Sequence, residues 1–478
     1  MKTRPIFSIL LALFLISCSD DGAKSRPTWS PVERASGLET AVFPDGDSFY
    51  IDPENGDDSG TGSFEDPWQN LQFVLDNYVR TQEYDSYPWN EAQGMIPRNP
   101  DGPVGPGDTL VLRAGNHGPI DIRRARNEDF IAIRAMDGET ATLERLSIVS
   151  ASHWIVEDLH VTQDATDVPT QGDLLEIENH NWTGPASFVI VRGCRFETTA
   201  DASAWTLEDW NQRPCNGASL TGDHLLLEDN LFRNVNFGIS VSGDFTDVIG
   251  NTVENFAGDG LRGLGDDLVF RGNTVKNCYD VNENHDDGFQ SWSIDGHAPR
   301  RVVLEGNTIL NYTDPNQPFR GALQGIGCFD GFYQDWYVAN NLVIVDHWHG
   351  ITFLGGDGVT VIHNTVVNRD PASELTPWIM IDDHKDGSVS RNCLIANNLV
   401  ANRITAGSGV TETTNLVVGD GDLAVVYEDP DQLDFTPAAG SPVLDAATAL
   451  PECPAVDHDG VPRPQGPGYD LGAFERTP

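Results

Sequence analysis

Lysine is almost missing from this 478-residue chain: Lys2, Lys24, Lys276 and Lys385 are all it has. Lys and Arg together number 29 against 73 Asp and Glu, for a formal charge of −44. A surface of that sign repels phosphates, which excludes nucleic acid as a partner. Cysteine is sparse, with 7 in all and no CxxC pair, so zinc is not indicated. Nor is any apolar run long enough to cross a bilayer. The run over residues 6–16 follows Lys2 and Arg4 and reads as the apolar centre of a signal peptide, residues 1–17. What remains is not a disordered chain: 39% of residues are hydrophobic, enough for a substantial core.

A repeat organises that apolar material. β-rich runs carry an Asn followed by two more strand residues, with the Asn at positions 230, 251, 273, 307, 341, 364 and 398. The spacings are 21, 22, 34, 34, 23 and 34 residues. A base period near 22 with longer insertions fits stacked coils of a solenoid, and an Asn at one corner of every coil can bond its equivalents above and below. These Asn read as structural, as do His153, His224 and His363 in repeat strands. Asp66-Pro67 looks like the start of an amphipathic helix, with Trp68, Leu71, Leu75, Tyr78 and Val79 at helical spacing, suited to cover the first open rung. The expected divisions are a tether over 18–44, an N-terminal cap and loop over 45–107, coils over 108–405, and C-terminal strands and cap over 406–478. Cys194 and Cys215 bracket one long loop and are the best candidates for a disulfide.

Past each Asn a turn leads to a second strand marked by glycine. The instances are Phe237-Gly238-Ile239-Ser240, Asp259-Gly260-Leu261-Arg262, Asp287-Gly288-Phe289-Gln290, Gln324-Gly325-Ile326-Gly327 and His349-Gly350-Ile351-Thr352. Aligning the glycines stacks Ile239, Leu261, Phe289, Ile326 and Ile351 inward and turns Ser240, Arg262, Gln290, Gly327 and Thr352 outward. The residues before the glycine form a column of their own: Phe237, Asp259, Asp287, Gln324 and His349. Rungs about 4.8 Å apart would present it to solvent.

On these features the chain resembles the pectate-lyase-like superfamily of right-handed parallel β-helix proteins. The strand–loop–helix opening, Gly107-Asp108-Thr109-Leu110, the Asn ladder and the Asp470-Leu471-Gly472-Ala473 ending carry the resemblance over roughly residues 45–478. It implies an all-β right-handed parallel β-helix with an N-terminal capping helix and long loops on one face. It also implies activity on polysaccharides, in a groove along one sheet. The signatures of individual activities do not transfer: Lys276 and Lys385 lie off the column, and the Asp-Pro-His and Gly-His-Gly motifs are absent. Leu15-Ile16-Ser17-Cys18 resembles the lipobox of bacterial lipoproteins, which implies lipidation at Cys18 and an outer-membrane or cell-surface location.

Three functions suit such a column. The first is β-elimination or C5 epimerisation of an acidic, uronic-acid polysaccharide by a monomer. His285, His347 or His349 would be the base. Arg262, Gln290 and Gln324 would bind the carboxylate and stabilise the enolate-like intermediate. Asp259, Asp286 or Asp287 would orient a His or hold Ca²⁺, with Asp286 the metal candidate. Trp292, Phe329, Tyr333, Trp336 and Trp348 offer stacking faces, and Asp383 and His384 are further substrate contacts. The second is hydrolysis by Asp259 and Asp287, adjacent carboxyls about 5 Å apart, as in a retaining pair. The third is glycan binding without catalysis.

Overall fold

The computed structural model describes residues 30–38, 41, 43–166, 169–369, 373–419 and 423–477. Cys18, the signal segment and the first part of the expected tether lie outside the described residues. Among the described residues, short strands wind into coils that each feed one strand to three long sheets of 15, 12 and 11 strands. One coil runs Asp223–Glu228, Leu231–Val235, Ile239–Val241. The next runs Thr246–Ile249, Thr252–Phe256, Leu261–Gly263 and pairs with it in parallel at every side. The chain is therefore an all-β parallel β-helix. Alternate residues point into one continuous apolar core that includes Phe232, Phe270, Phe289, Trp336 and Phe353.

The corner between the 15-strand and 12-strand sheets carries the expected ladder. From Asn230 through Asn251, Asn273, Asn307, Asn341, Asn364 and Asn398, each Nδ2 donates to the next Oδ1 at 2.9–3.2 Å. Asn415 closes the series with one more rung. The residue before each Asn sits at positive φ, filled by Gly250, Gly272 and Gly306 or by Asp229, Asn340, His363 and Asn397. A second column, Asn234, Asn255 and Asn277, is linked at 2.9 and 3.2 Å. It repeats the 21- and 22-residue spacing four positions on and went unread in the sequence.

Several expectations change. The capping helix is Leu71–Asn77, with Asn70 as N-cap accepting from Phe73 N at 2.9 Å. Asp66 instead accepts from Thr61 N, and Trp68 bridges Ile51. Cys194 and Cys215 are free, buried thiols, not a disulfide: Cys194 packs at a coil corner against Leu159 N, and Cys215 lies beside Thr170 O. The expected tether does not run free to residue 44. Ala35 N, Ser36 N and Ser36 Oγ all donate to the buried Asp247, and Leu38 packs on Ala132, Ile155, Ile190 and Leu226 of the 15-strand sheet. The coils continue past 405 with Val410–Thr413 and Leu416–Val417. The C-terminal segment then lies along the outside of the 12-strand sheet, where Tyr427, Phe435, Leu471 and Phe474 cover Leu310, Leu342 and Leu399.

Insertions over 198–215, 279–286 and 311–323 all fall at one corner, before a strand of the 11-strand sheet. Trp210 stacks on Tyr279 at 4.3 Å, and Trp205, Ala257 and Val281 complete a small apolar cluster that ties two of these loops together. They wall the edge along which the candidate site runs.

Candidate active site

Five strands of the 11-strand sheet carry the site: Leu261–Gly263, Asp287–Trp292, Gln324–Asp330, His349–Leu354 and Trp378–Asp382. Their register stacks Leu261, Phe289, Ile326, Ile351 and Ile379 in the core. Asp287 therefore lies opposite Gln324, and a register shift between His349 and Ile351 brings Trp378 opposite His349. Asp287 N donates to Asp259 Oδ1 at 3.1 Å, which places Asp259 on the same line. The column read from the glycines exists, and it extends one rung further, to Trp378.

Its two ends differ in access. Asp259 and Asp287 were expected to face solvent, yet they are only 3% and 0% exposed. Neighbouring side chains roof them. Asp259 Oδ2 is held by Arg262 Nε at 2.6 Å, and Gln290 Nε2 donates to Asp287 Oδ2 at 3.0 Å. Asp287 Oδ1 has no hydrogen-bond partner. It sits beside Gly327, where a Cβ would come within 2.5 Å of it and 2.6 Å of Phe329. Gln324 Oε1, Ser291 Oγ and Asp286 Oδ1 are likewise buried without partners. Burial, then the negative charges of Asp259 and Asp286, push the Asp287 carboxyl well above the carboxylate range. Burial also raises Asp259, against the pull of Arg262.

The other end is open. Trp348 is 45% exposed, and His347, His349 and Trp378 are half-buried. His347 stacks on His349 at 5.2 Å, and Trp348 on Trp378 at 6.3 Å. Phe329 and Trp378 each meet the His349 ring edge-on, at 4.7 and 5.1 Å. Burial lowers His347 and takes His349 down to about 4, so both rings are neutral at pH 7. His285 is exposed and lies within electrostatic range of both Asp259 and His347. Arg262 is sandwiched between Phe237 at 3.7 Å and Trp292 at 5.4 Å, so a ligand can reach it only along its edge. Its ion pair uses Nε, which leaves both Nη groups for a ligand. Arg403 covers Trp378 at 4.3 Å.

Some expected site residues lie elsewhere. Asp383 and His384 follow Asp382, at the far end of the strand that starts with Trp378. There Asp383 accepts from Ser390 N, and His384 pairs with Asp386. Tyr333 and Trp336 are fully buried core residues and offer no stacking face. Asp286 turns to the buried Cys278 and the exposed Asp280, and burial with the Asp280 charge raises it to about 7. Among the described residues, no three His, Cys, Asp or Glu side chains come together as a metal-ligand group. Trp378 and Arg403 went unread because Trp378-Ile379-Met380 has no glycine to align. The ladder residue Asn364, which precedes that strand, could have placed it.

No family model matches the chain, and no curated protein matches it. Among solved structures it is similar to pectate lyase Pel9A, at 15% identity and a TM-score of 0.48 over 92% of this chain and 98% of that one. It is also similar to XylC in complex with xylose, at 8% identity and 0.41 over 90% and 99%. A mannuronic-acid-specific family 6 polysaccharide lyase from human gut microbiota gives 15% identity and 0.38 over 70% and 86%. At these values the likenesses assign no activity to this chain.

Proposed function

We propose that the protein removes the proton next to the carboxylate of a uronic-acid unit in a polysaccharide, leading to β-elimination or to epimerisation at that carbon. The observation that supports this most is the stacked pair of imidazoles, His347 and His349, at the open end of the column, with His285 within electrostatic range of His347. Such chemistry needs a base and donors that neutralise the carboxylate as its charge spreads into the enolate. Arg262 offers its Nη edge, and the neutral rings of His347 and His349 can hydrogen-bond a substrate at pH 7. Trp292, Phe329, Trp348 and Trp378 offer faces on which sugar rings pack. In elimination the departing proton goes to an imidazole and its bonding pair forms the new carbon–carbon double bond. The bond to the leaving oxygen breaks, and that oxygen takes a proton.

Hydrolysis fits less well. A retaining mechanism needs both carboxyls at the scissile bond. Asp259 and Asp287 are covered, and Asp259 is already engaged by Arg262. The test is incubation of the full chain with alginate, pectate and a neutral xylan. Ultraviolet-absorbing unsaturated ends from an acidic polymer, lost in Arg262→Ala, are expected. New reducing ends without unsaturation would replace the reading with hydrolysis, and retention without any product would make the column a binding surface. Export and lipid anchoring at Cys18 belong to the same proposal. A Cys18→Ala chain that still partitions with membranes would sink that part.

A further inference from the structure

Within the functional reading above, on which this rests, we infer that Thr352 and Trp378 hold His349 as the tautomer protonated on Nε2, a hydrogen-bond donor to the sugar carboxylate, and leave proton abstraction to His285.

The inference follows from counting protons. An indole N–H can only donate, and Trp378 Nε1 donates to Thr352 Oγ1 at 3.0 Å. A threonine hydroxyl has one proton of its own to place. Thr352 is fully buried, so that proton needs a protein acceptor. His349 Nδ1 lies 3.1 Å from Oγ1 and is the remaining partner of that oxygen. Thr352 therefore donates to Nδ1, and the ring's own proton is on Nε2. The opposite arrangement, with Nδ1–H donating to Thr352, would leave a buried hydroxyl proton without an acceptor.

His347 is fixed the same way by a different atom. Its Nδ1 accepts from His349 N at 3.1 Å, so in the neutral ring the proton is again on Nε2. Two stacked, neutral imidazoles thus both present N–H and no free lone pair. A neutral imidazole N–H does not give up its proton in this range, but it stabilises an anion in front of it. Together they form a cradle for a carboxylate that becomes an enolate. Neither ring can serve as base. The third imidazole, His285, is exposed, and neither of its ring nitrogens is bonded within the described residues. In elimination it takes the proton, becomes imidazolium, and returns that proton to the departing oxygen, so charge and protons balance without another reactant. Thr352 and Trp378 are positioning residues, acting through His349.

The test uses the full chain labelled with ¹⁵N-histidine. Long-range ¹H–¹⁵N correlations are expected to show His349 protonated on Nε2 and bare on Nδ1. Thr352→Val is expected to mix the tautomers and to lower kcat by roughly ten- to hundredfold. Thr352→Ser is expected to restore both, and Trp378→Phe to weaken the preference while keeping the ring. His285→Ala is expected to keep the tautomer and lose turnover. A His349 ring protonated on Nδ1 in the unmodified chain would overturn the inference, as would a Thr352→Val chain with an unchanged tautomer or a His285→Ala chain with full turnover. A correct tautomer in a protein that turns over no acidic polymer would count against the functional reading and leave the Thr352–His349 assignment standing.

Discussion

Along one corner of the coil, the asparagines from Asn230 to Asn415 repeat a single side chain on every rung, with both amide atoms bonded. Along the outer face of the 11-strand sheet, Asp259, Asp287, Gln324, His349 and Trp378 change the side chain on every rung. This second column leaves Asp287 Oδ1 and Gln324 Oε1 buried without partners. Both columns share the spacing that the coil imposes. The first is what the coil needs for itself, since each amide satisfies the rung beside it. The second does nothing for the coil that an apolar or uniform column would not do better. Unpaired groups, carboxyls raised by burial and lowered histidines are tolerated there, and the proposed function rests on that pattern.

The contrast can be broken most sharply at Arg262. Arg262→Ala should lower kcat/KM by about a thousandfold, the scale for removing one preorganised charge stabiliser, and should also lower the unfolding midpoint, because the buried Asp259 loses its partner. A variant that unfolds early but turns over normally would show Arg262 to be structural. The mirror experiment is Asn307→Ala. It strips a partner from Asn273 and Asn341 at once and should cost about 2–4 kcal/mol in urea unfolding, with the rate of the folded fraction unchanged.

Protonation separates the columns further. Asp286 keeps its proton in the folded chain up to about pH 7, whereas an unfolded Asp loses it near about 3.9. Between those values the folded state holds more protons, so this group makes stability fall as pH rises. His349, lowered from 6.5 to about 4, acts oppositely: across that window the unfolded state holds more protons, and its contribution rises with pH. Asp286→Asn removes the first effect and keeps the second. The variant should gain on the unmodified chain by up to ~1.4 kcal/mol per pH unit between about pH 4 and 7. Urea titrations across that range check it, and a pH-independent difference would mean the folded carboxyl is ionised.

The smallest expected effect concerns salt. With a net charge of −44, the chain repels a polyuronate at long range, and added salt screens that repulsion beyond about 8–10 Å. KM for an acidic polymer should fall by roughly twofold from low to physiological ionic strength. A KM that climbs with salt would mean that Arg262 and Arg403 dominate encounter.

How far the sequence could be read follows from the same contrast. The asparagine column was legible because it repeats one letter at one spacing. The site column was legible in position, since Gly260, Gly288, Gly325 and Gly350 mark its register, and Trp378 was lost where that glycine is missing. Exposure was not legible: alternation gives the face of the sheet, but the roof over Asp259 and Asp287 comes from Arg262 and Gln290, three residues further along the same segments, and from Phe329 on the next strand. Asp383 and His384 show the converse error, because closeness along the chain to a site strand put them at its wrong end.

The most direct measurement is hydrogen exchange during turnover in heavy water with alginate or pectate as substrate. If the open end of the column removes the proton beside the sugar carboxylate, deuterium enters the polymer at that carbon or unsaturated ends accumulate, and both vanish in His285→Ala. Shortened chains with new reducing ends, no unsaturation and no deuterium at that carbon would contradict it.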